Sequence, residues 1–145
     1  MTVRDIEGIR ALIPLRYPYL MIDRIIEEEA DRVVALKNVT VNEPFVQGHF
    51  PEPLGAVMPG TLILEAMAQT AAFLALSQEE TERQMGYLVG ADKVRFRRKV
   101  VPGDQLRIEA RLGRRRRELL QADLAVSVDG EAVASATISL IFPGA

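Results

Sequence analysis

The sequence predicts an α+β fold in which a curved antiparallel sheet of about six strands wraps a central helix. Two observations support this prediction. Residues 62–76 form a helical stretch that is apolar in nearly every direction, interrupted by Glu65, Gln69 and Thr70, and a helix apolar all round is buried. Six other segments have strand patterns separated by turn signals. The length of 145 residues predicts one domain, residues 1–145, large enough for its own core.

The N-terminal half is predicted to contain a helix, two strands and a long loop. Isoleucines at helical spacing predict a short amphipathic helix over residues 4–13, which Pro14 ends. A polar turn joins the two strands, and a loop rich in proline and glycine follows; these segments are residues 20–28, 32–41 and 42–58. Pro59 and Gly60 then open the central helix, because proline is favoured in a first helical turn.

Four more strands are predicted after the central helix, over residues 85–96, 105–112, 119–128 and 132–142. Turn signals separate them: a Pro-Gly-Asp sequence at residues 102–104, an arginine run at residues 114–117, and Asp129-Gly130, which favours a tight hairpin. A single sheet covers one side of a buried helix, so we expect a second subunit to complete the burial.

Composition excludes several kinds of site. The chain has no cysteine, which excludes a disulfide framework, thiolate metal sites and a thiol nucleophile. His49 is the single histidine, so no metal site is predicted. The N-terminus lacks the features of a signal peptide, and no run of 18 apolar residues occurs; these observations predict a cytoplasmic protein that does not cross a membrane.

Positive charge is concentrated in residues 93–117. This segment has eleven basic and two acidic residues, a net charge of +9, although the whole chain has a net charge of −2. At its start, alternation places Val94 and Phe96 on one face of a strand and the cations on the other. The basic face is either solvated or a docking surface for an acidic partner, whether a carrier protein, a phosphorylated cofactor or nucleic acid.

Glu65 is a carboxyl group on the helix predicted to be buried. Burying its charge is costly, so the group needs a partner or must take up a proton. It either faces a crevice or pairs with an arginine for structural reasons, or it is a general acid with a raised pKa. Gln69 follows one turn later on the same face, where it can orient Glu65.

His49 lies in the loop between Gly48 and Phe50. A single loop histidine is often a structural or surface residue, but a possible oxyanion site follows it in the sequence. The Pro59-Gly60 start leaves free helical N–H groups that can point at an oxyanion, and glycine permits close approach. An imidazole, a carboxyl group and a helix N-terminus supply a base, a proton donor and a carbonyl polariser, which is sufficient for proton abstraction.

Five sequence blocks carry a resemblance to an enzyme family. They are residues 12–24 (LIPLRYPYLMIDR), 37–45 (KNVTVNEPF), 47–51 (QGHFP), 59–69 (PGTLILEAMAQ) and 100–104 (VVPGD). In this order they resemble the 3-hydroxyacyl-[acyl-carrier-protein] dehydratases of type II fatty acid synthesis. The resemblance implies a hot-dog fold and dimers that often assemble into hexamers, trimers of dimers. It also implies reversible loss of water from a (3R)-hydroxyacyl thioester to give the trans-2-enoyl thioester, with no metal or organic cofactor.

The same resemblance implies roles for individual residues. His49 corresponds to the histidine that removes the C2 proton, and Glu65 to the carboxyl group that helps the C3 hydroxyl leave. Gly60 corresponds to the glycine whose N–H holds the thioester oxygen, and the acyl chain is expected along the apolar helix. Further substrate contacts are expected from Phe50, Pro59 and Gln69. The acidic acyl carrier protein is expected to meet Arg97, Arg98 and Lys99.

Two departures from the family pattern are visible. Leu15 stands where the family usually has histidine, which is expected to affect packing or the substrate entrance. Nine residues separate His49 from Pro59, where the family usually has seven, and Glu52 replaces a usual glycine. The longer loop is expected to displace His49 relative to Gly60 and to alter the chain-length preference.

Three other functions compete with dehydration. A dehydratase that also isomerises the double bond typically has aspartate at the Glu65 position, so glutamate favours dehydration alone. Hot-dog thioesterases lack the His-Phe-Pro and Pro-Gly blocks. A non-catalytic module could bind an acyl carrier or nucleic acid through residues 114–117, but no stacking aromatics interleave this run. The predicted partners are therefore acyl carrier protein and a second copy, with no nucleic acid or membrane.

Overall fold

The computed structural model describes residues 2–50, 53–79 and 86–143. Its elements are α1 (Ile6–Leu12), β1 (Arg24–Glu29), β2 (Arg32–Asn38), a 3₁₀ helix (Pro44–Gln47), α2 (Gly60–Glu79), β3 (Tyr87–Phe96), β4 (Gln105–Arg116), β5 (Leu119–Val128) and β6 (Glu131–Ile141). Apart from the strand ends discussed below, the predicted boundaries agree to within three residues.

The strands form an antiparallel sheet in the order β1-β2-β4-β5-β6-β3. Helix α2 contacts β2, β4, β5 and β6, and its residues Ala66, Met67 and Phe73 are fully buried. Register shifts interrupt four of the five strand pairs, and such bulges bend strands, which lets the sheet curve around the helix. The predicted α+β architecture, with six strands around a central helix, is confirmed.

Other hydrogen-bond partners displace two predicted strand ends. Strand β1 starts four residues later than predicted, because the N–H of Met21 donates to the Gln69 side chain and not to a neighbouring strand. Strand β2 stops three residues earlier than predicted, because Val39 bonds through its backbone to the turn at residues 103–104. The predicted start of β3, residue 85, lies outside the described residues.

The arginine run is mostly strand, so its prediction as a turn is wrong. A register shift between Leu112 and Arg114 realigns β4 with β5, and strand pairing then continues to Arg116. The turn itself begins at Arg117, whose φ of 50° lies in the left-handed region. Alternate arginines of the run therefore lie on opposite faces of the sheet.

Helix α2 is a core helix. Residues Gly60–Ser77 have the length and composition of a membrane-crossing helix, yet 61% of them are buried inside the chain, as expected of the central helix of a soluble protein. The burial is incomplete near its N-terminus, where Leu62, Leu64 and Glu65 are half-buried. One chain therefore leaves this part of the helix open on one side.

Candidate active site

The backbone and ring of His49 are both fixed by hydrogen bonds. Its N–H donates to the carbonyl of Phe45 at 2.9 Å, and its own carbonyl accepts from the N–H of Val57 at 3.1 Å. Ring atom Nδ1 lies 2.8 Å from the Val57 carbonyl oxygen. A carbonyl oxygen can only accept, so Nδ1 carries the proton and Nε2 keeps a free lone pair. This tautomer can act as a base through Nε2.

The longer loop does not carry His49 away from the central helix. The pairing of His49 with Val57 brackets residues 50–56, within which Leu54 is 74% exposed. The chain is fixed again directly after Val57, because the next N–H, that of Met58, donates at 2.8 Å to the carbonyl of Val100, four residues beyond β3. His49 and Gly60 consequently line the same pocket, and the displacement expected relative to other family members stays a prediction.

This pocket, with a volume of about 390 Å³, lies at the N-terminus of α2. Its apolar lining includes Met58, Ile63 and Val100, and its mouth is basic. The N–H groups of Gly60 and Thr61 begin the helix and have no acceptor among the described residues. Free N–H groups at a helix start attract negative charge. The pocket therefore combines a base with an oxyanion site.

Gly60 is also required by its neighbour Phe96. A methyl group at position 60 would lie 3.1–3.3 Å from three carbons of the Phe96 ring. The aromatic ring thus covers the start of the helix at a distance that only glycine accommodates without movement. The alternation in the sequence predicted that Phe96 shares a strand face with Val94, but it did not predict a place for Phe96 in the site, since no local pattern relates β3 to the start of α2.

Phe50 and Pro59 lie next to the reactive groups. The Phe50 ring stacks on the His49 imidazole with ring centroids 4.4 Å apart and an interplanar angle of 23°. Pro59 is half-buried and its carbonyl accepts from the N–H groups of Leu62 and Ile63. The predicted contacts of Phe50 and Pro59 with substrate stay predictions. In the structure, Phe50 supports the His49 imidazole and Pro59 supports the start of α2.

Among the described residues, the hydrogen-bond partner of Glu65 is a neutral amide and not an arginine. Its Oε2 accepts a hydrogen bond from Nε2 of Gln69 at 2.8 Å. Burial raises the pKa of Glu65 above its ordinary value, although the hydrogen bond from Gln69 lowers it in part. The carboxyl group therefore holds its proton to higher pH than an exposed glutamate does, as a general acid requires.

Gln69 is hydrogen-bonded to Glu65, and its predicted contact with substrate stays a prediction. It is 2% exposed, and its Nε2 also donates to the Tyr19 carbonyl at 2.7 Å. Its Oε1 accepts from the N–H of Met21 at 2.8 Å. Both amide protons and the amide oxygen are thus engaged inside the chain. Gln69 links the segment before β1 to α2 and holds the Glu65 carboxyl group.

Glu65 does not line the pocket that contains His49 and Gly60. It follows Gly60 by five residues, and at about 100° per residue its side chain points about 140° away around the helix. Within the part of the chain that the structure describes, the base and the oxyanion site are therefore brought together, but the acid is not.

The three cations predicted to bind the carrier all line the mouth of the pocket, but they differ in their partners. Arg98 has weak ion pairs with Asp104 at 3.4 Å and Glu131 at 3.5 Å. Arg97 donates to the neutral hydroxyl of Ser135. Lys99 is exposed and forms no ion pair with any described residue. Within residues 2–50, 53–79 and 86–143, no carboxylate therefore compensates the positive charge of Arg97 or Lys99.

The described residues contain no group of three or more histidine, aspartate or glutamate side chains placed to hold a metal ion. The functional groups of the pocket are an imidazole, backbone N–H groups and cations. With a carboxyl group added, this set suits proton transfer at a carbon next to a polarised carbonyl.

Comparison with known proteins identifies the family. Residues 13–137 match the model of the FabA-like domain. The chain is 49% identical over 138 residues to the 3-hydroxyacyl-[acyl-carrier-protein] dehydratase FabZ of Streptococcus equi subsp. zooepidemicus, which covers 95% of this chain and 97% of that protein. It is also 49% identical over 135 residues to the FabZ of Streptococcus sanguinis, covering 93% and 95%.

A solved structure extends the likeness to the fold. The dehydratase heterocomplex ApeI:P from Xenorhabdus doucetiae superposes with a TM-score of 0.82 at 17% identity, covering 94% of this chain and 91% of the other. At this identity the likeness concerns the fold alone, and it confirms the expected hot-dog fold. By its FabA-like domain and its identity to the FabZ enzymes over nearly its full length, the chain belongs to the family of 3-hydroxyacyl-[acyl-carrier-protein] dehydratases.

Proposed function

We propose that the chain catalyses the reversible dehydration of (3R)-hydroxyacyl-[acyl-carrier-protein] to trans-2-enoyl-[acyl-carrier-protein] in fatty acid synthesis, as a soluble, cytoplasmic enzyme. One observation carries the proposal: the Nε2 lone pair of His49 is free, because Nδ1 is committed to the Val57 carbonyl. The same pocket contains Gly60, whose N–H has no acceptor among the described residues. Related enzymes bear the name of this activity.

In the first half of the reaction, Nε2 of His49 removes a proton from C2 of the substrate. Negative charge then develops on the thioester oxygen, where the N–H of Gly60 donates a hydrogen bond. A fixed donor aimed at a developing oxyanion lowers the barrier by about 3 kcal/mol in other enzymes. The dipole of α2, a helix of 20 residues, acts in the same direction.

In the second half, the C3–O bond breaks as the C2=C3 double bond forms. Glu65 donates its proton to the departing hydroxyl, and the products are water and the enoyl thioester. Its raised pKa favours the protonated form that this step needs. Hydration is the reverse, with Glu65 accepting a proton from water and His49 returning one to C2. No oxidant, metal or covalent intermediate is needed.

The acid of each site comes from a second copy of the chain. Glu65 points away from the pocket that holds His49, and the part of α2 around it is open. The edge strand β3 exposes Tyr87, Leu88 and Val89 by 55%, 46% and 54%. An unpaired apolar edge invites pairing with another chain. A homodimer that covers this edge supports a shared site, and a trimer of dimers is the further assembly that the family resemblance implies.

The carrier protein is proposed to dock at the mouth of the pocket through Arg97 and Lys99. Acyl carrier protein is acidic, and complementary charge mainly increases association and orientation. Arg98 contributes less, because Asp104 and Glu131 already compensate part of its charge. Docking here would deliver the thioester directly to His49.

An assay of thioester hydration tests the proposed function. The purified native oligomer is expected to hydrate crotonyl thioesters of both the carrier protein and coenzyme A, and to dehydrate the (3R)-hydroxyacyl products but not their (3S) isomers. A folded protein that turns over neither thioester would contradict the proposal. Release of free acid, which signals thioester hydrolysis, would instead support the thioesterase alternative.

A further inference from the structure

A buried ion pair lies outside the pocket and has no part in the chemistry described above. Lys37 of β2 is 5% exposed, and its Nζ lies 2.5 Å from Oε1 of Glu43. The Glu43 side chain is 19% exposed. Burying two charges has a desolvation cost that a close contact only offsets, and removal of one partner leaves the other uncompensated. Such a pair is therefore better suited to fixing a geometry than to adding stability.

Glu43 stands at the start of the 3₁₀ helix that leads to His49. It is the N-cap residue of this helix, and its carbonyl accepts from the N–H of Val46 at 3.0 Å. Within the same helix, the carbonyl of Phe45 accepts from the N–H of His49 at 2.9 Å. A displacement of Glu43 therefore moves the turn on which the His49 backbone rests.

The opposite end of the His49 loop is tied back to the strand of Lys37. The N–H of Met58 donates to the carbonyl of Val100 at 2.8 Å. The turn that follows Val100 meets the end of β2. The N–H of Val39 donates to the carbonyl of Asp104 at 2.9 Å, and the carbonyl of Val39 accepts from the N–H of Gly103 at 2.8 Å. Val39 is only two residues beyond Lys37.

These contacts form a closed series that starts and ends at β2 and includes His49. In order, the series passes through Lys37, Glu43, the 3₁₀ helix, His49, Val57, Met58, Val100, the 101–104 turn and Val39. Most of its links are backbone hydrogen bonds, whereas the Lys37–Glu43 pair joins β2 to the 3₁₀ helix through side chains. The N–H of Glu43 also donates to the carbonyl of Thr40 at 3.2 Å, and Phe45 packs against the core. Opening the pair therefore removes one of the restraints on the 3₁₀ helix while the Val57 side stays fixed.

We infer that Lys37 and Glu43 are positioning residues for the His49 base. The pair holds the 3₁₀ helix where Nδ1 of His49 meets the Val57 carbonyl, which keeps Nε2 unprotonated and directed into the pocket. The inference rests on the proposed function in taking His49 as the base, and it adds two residues, on β2 and at the 3₁₀ helix, that no substrate atom touches.

The single histidine of the chain makes the test direct. Imidazole ¹⁵N NMR of the untagged native oligomer, at alkaline pH where imidazole is neutral, reports this one side chain. The wild type is expected to show the Nδ1–H tautomer. Lys37→Met is expected to mix the tautomers and to lower kcat about tenfold to hundredfold with little change in KM, because small misplacements of catalytic groups have effects of this size.

Two further variants make the test independent of folding defects. Lys37→Arg keeps the positive charge and is expected to restore most of kcat and the wild-type tautomer. Glu43→Gln is the milder disruption, and it decides the question with the same two measurements if Lys37→Met does not fold.

Arg32→Met is the matched control at the other end of β2. The Arg32 side chain is 13% exposed and contacts Glu27 and Glu109, each at 2.7 Å. The control is expected to lower the melting temperature but to keep kcat and the Nδ1–H tautomer.

The inference is overturned if folded Lys37→Met keeps the wild-type tautomer and kcat, or if Arg32→Met changes both as strongly. A wild type with the Nδ1–H tautomer but no dehydratase activity would refute the proposed function alone, since the tautomer comparison would still test the positioning by Lys37 and Glu43.

Discussion

The base and the acid of the proposed reaction are held in different ways. His49 lies in a loop and is fixed by backbone groups distant in the sequence, with the Val57 carbonyl on its ring. Glu65 lies on a long helix and is fixed by a side chain one turn away, the amide of Gln69. The first arrangement selects a tautomer. The second orients the carboxyl group, whose pKa is raised by burial and lowered in part by the hydrogen bond from Gln69. The base needs a free lone pair, whereas the acid needs the raised pKa that burial provides.

The two regions also differ in how the loss of the functional side chain affects folding. His49 is half-buried, and its ring makes one hydrogen bond to the part of the chain that the structure describes. We therefore expect the fold to depend little on this side chain. Glu65 is a partly desolvated acid on the central helix, and its raised pKa means that the folded chain disfavours its charge. Removal of the His49 side chain is therefore expected to change the stability of the fold little, whereas the charged form of Glu65 lowers that stability.

The largest expected effect tests the base. His49→Ala is expected to lower kcat/KM for dehydration by at least about 10³-fold, because general bases contribute about 10²–10⁴-fold and no second imidazole exists to replace it. Its melting temperature should stay close to that of the wild type. Steady-state assays with carrier-linked substrate and a thermal melt check both points. Activity within about tenfold of the wild type would exclude His49 as the base.

The second prediction tests the acid and separates it from the base. Glu65→Gln keeps the acceptor oxygen for Gln69 but removes the proton, so most activity should be lost. Because the folded state raises the pKa of Glu65, the wild type loses stability as pH rises from the unfolded pKa, about 4.3, to the folded pKa. Glu65→Gln lacks this loss and should melt higher than the wild type at neutral pH, with the difference shrinking toward pH 4.

Thermal melts at several pH values, at one protein concentration, measure this difference. Carboxyl ¹³C NMR of the wild type provides the direct check. A Glu65 titration at or below the ordinary glutamate pKa would remove the reason to regard this group as an acid.

The contrast between the two regions also explains which parts of the site were visible in the sequence. Glu65 and Gln69 are four residues apart on one helix, so helical periodicity alone predicted that they meet. The Val57 carbonyl could not be predicted, since every residue has a carbonyl and only the folded loop selects this one. The side chain of Phe96 meets Gly60 through tertiary packing, which has no local signature either.

The fold was more predictable than the site because its signals are local. An all-apolar helix and alternating strands specify burial directly, and both were correct. The arginine run was misassigned because the bulge next to Gly113 depends on pairing with β5. The start of β1 was predicted four residues too early, because the N–H of Met21 donates to the side chain of Gln69, which is distant in the sequence, and not to a neighbouring strand.

The third prediction asks whether base and acid of one site belong to different chains. His49→Ala chains keep Glu65, and Glu65→Gln chains keep His49. When the two inactive proteins are mixed and refolded, each heterodimer should contain one site with both changes and one intact site. Random association then restores about one quarter of wild-type activity.

Refolded wild type is the positive control, and each variant refolded alone is the negative control. Tagging the two chains differently allows heterodimers to be isolated. If isolated heterodimers stay inactive while the refolded wild type is active, both residues act within one chain and the shared site is wrong.

The prediction with the smallest expected effect concerns the side of the molecule on which the carrier protein approaches. Arg97→Ser with Lys99→Ser removes the two cations at the pocket mouth that have no carboxylate partner among the described residues. Their loss should raise KM several-fold for carrier-linked substrate and little for the coenzyme A thioester, because only the carrier presents an acidic protein surface. The effect should weaken as salt rises, since exposed charges are screened within about 8–10 Å at physiological ionic strength.

The matched control neutralises two exposed cations elsewhere, Arg114 and Arg117 at the end of the β4–β5 hairpin. This hairpin lies beside the later turns of α2, where Arg115 donates to the carbonyl of Ala75, far along the helix from Gly60. If the carrier docks on the base side of the same chain, the hairpin variant leaves both KM values unchanged. If the hairpin variant raises KM for carrier-linked substrate more than the Arg97 and Lys99 variant does, the carrier docks nearer the end of α2. Arg114 and Arg117 of one chain would then guide the carrier to the site in which the second chain contributes the base.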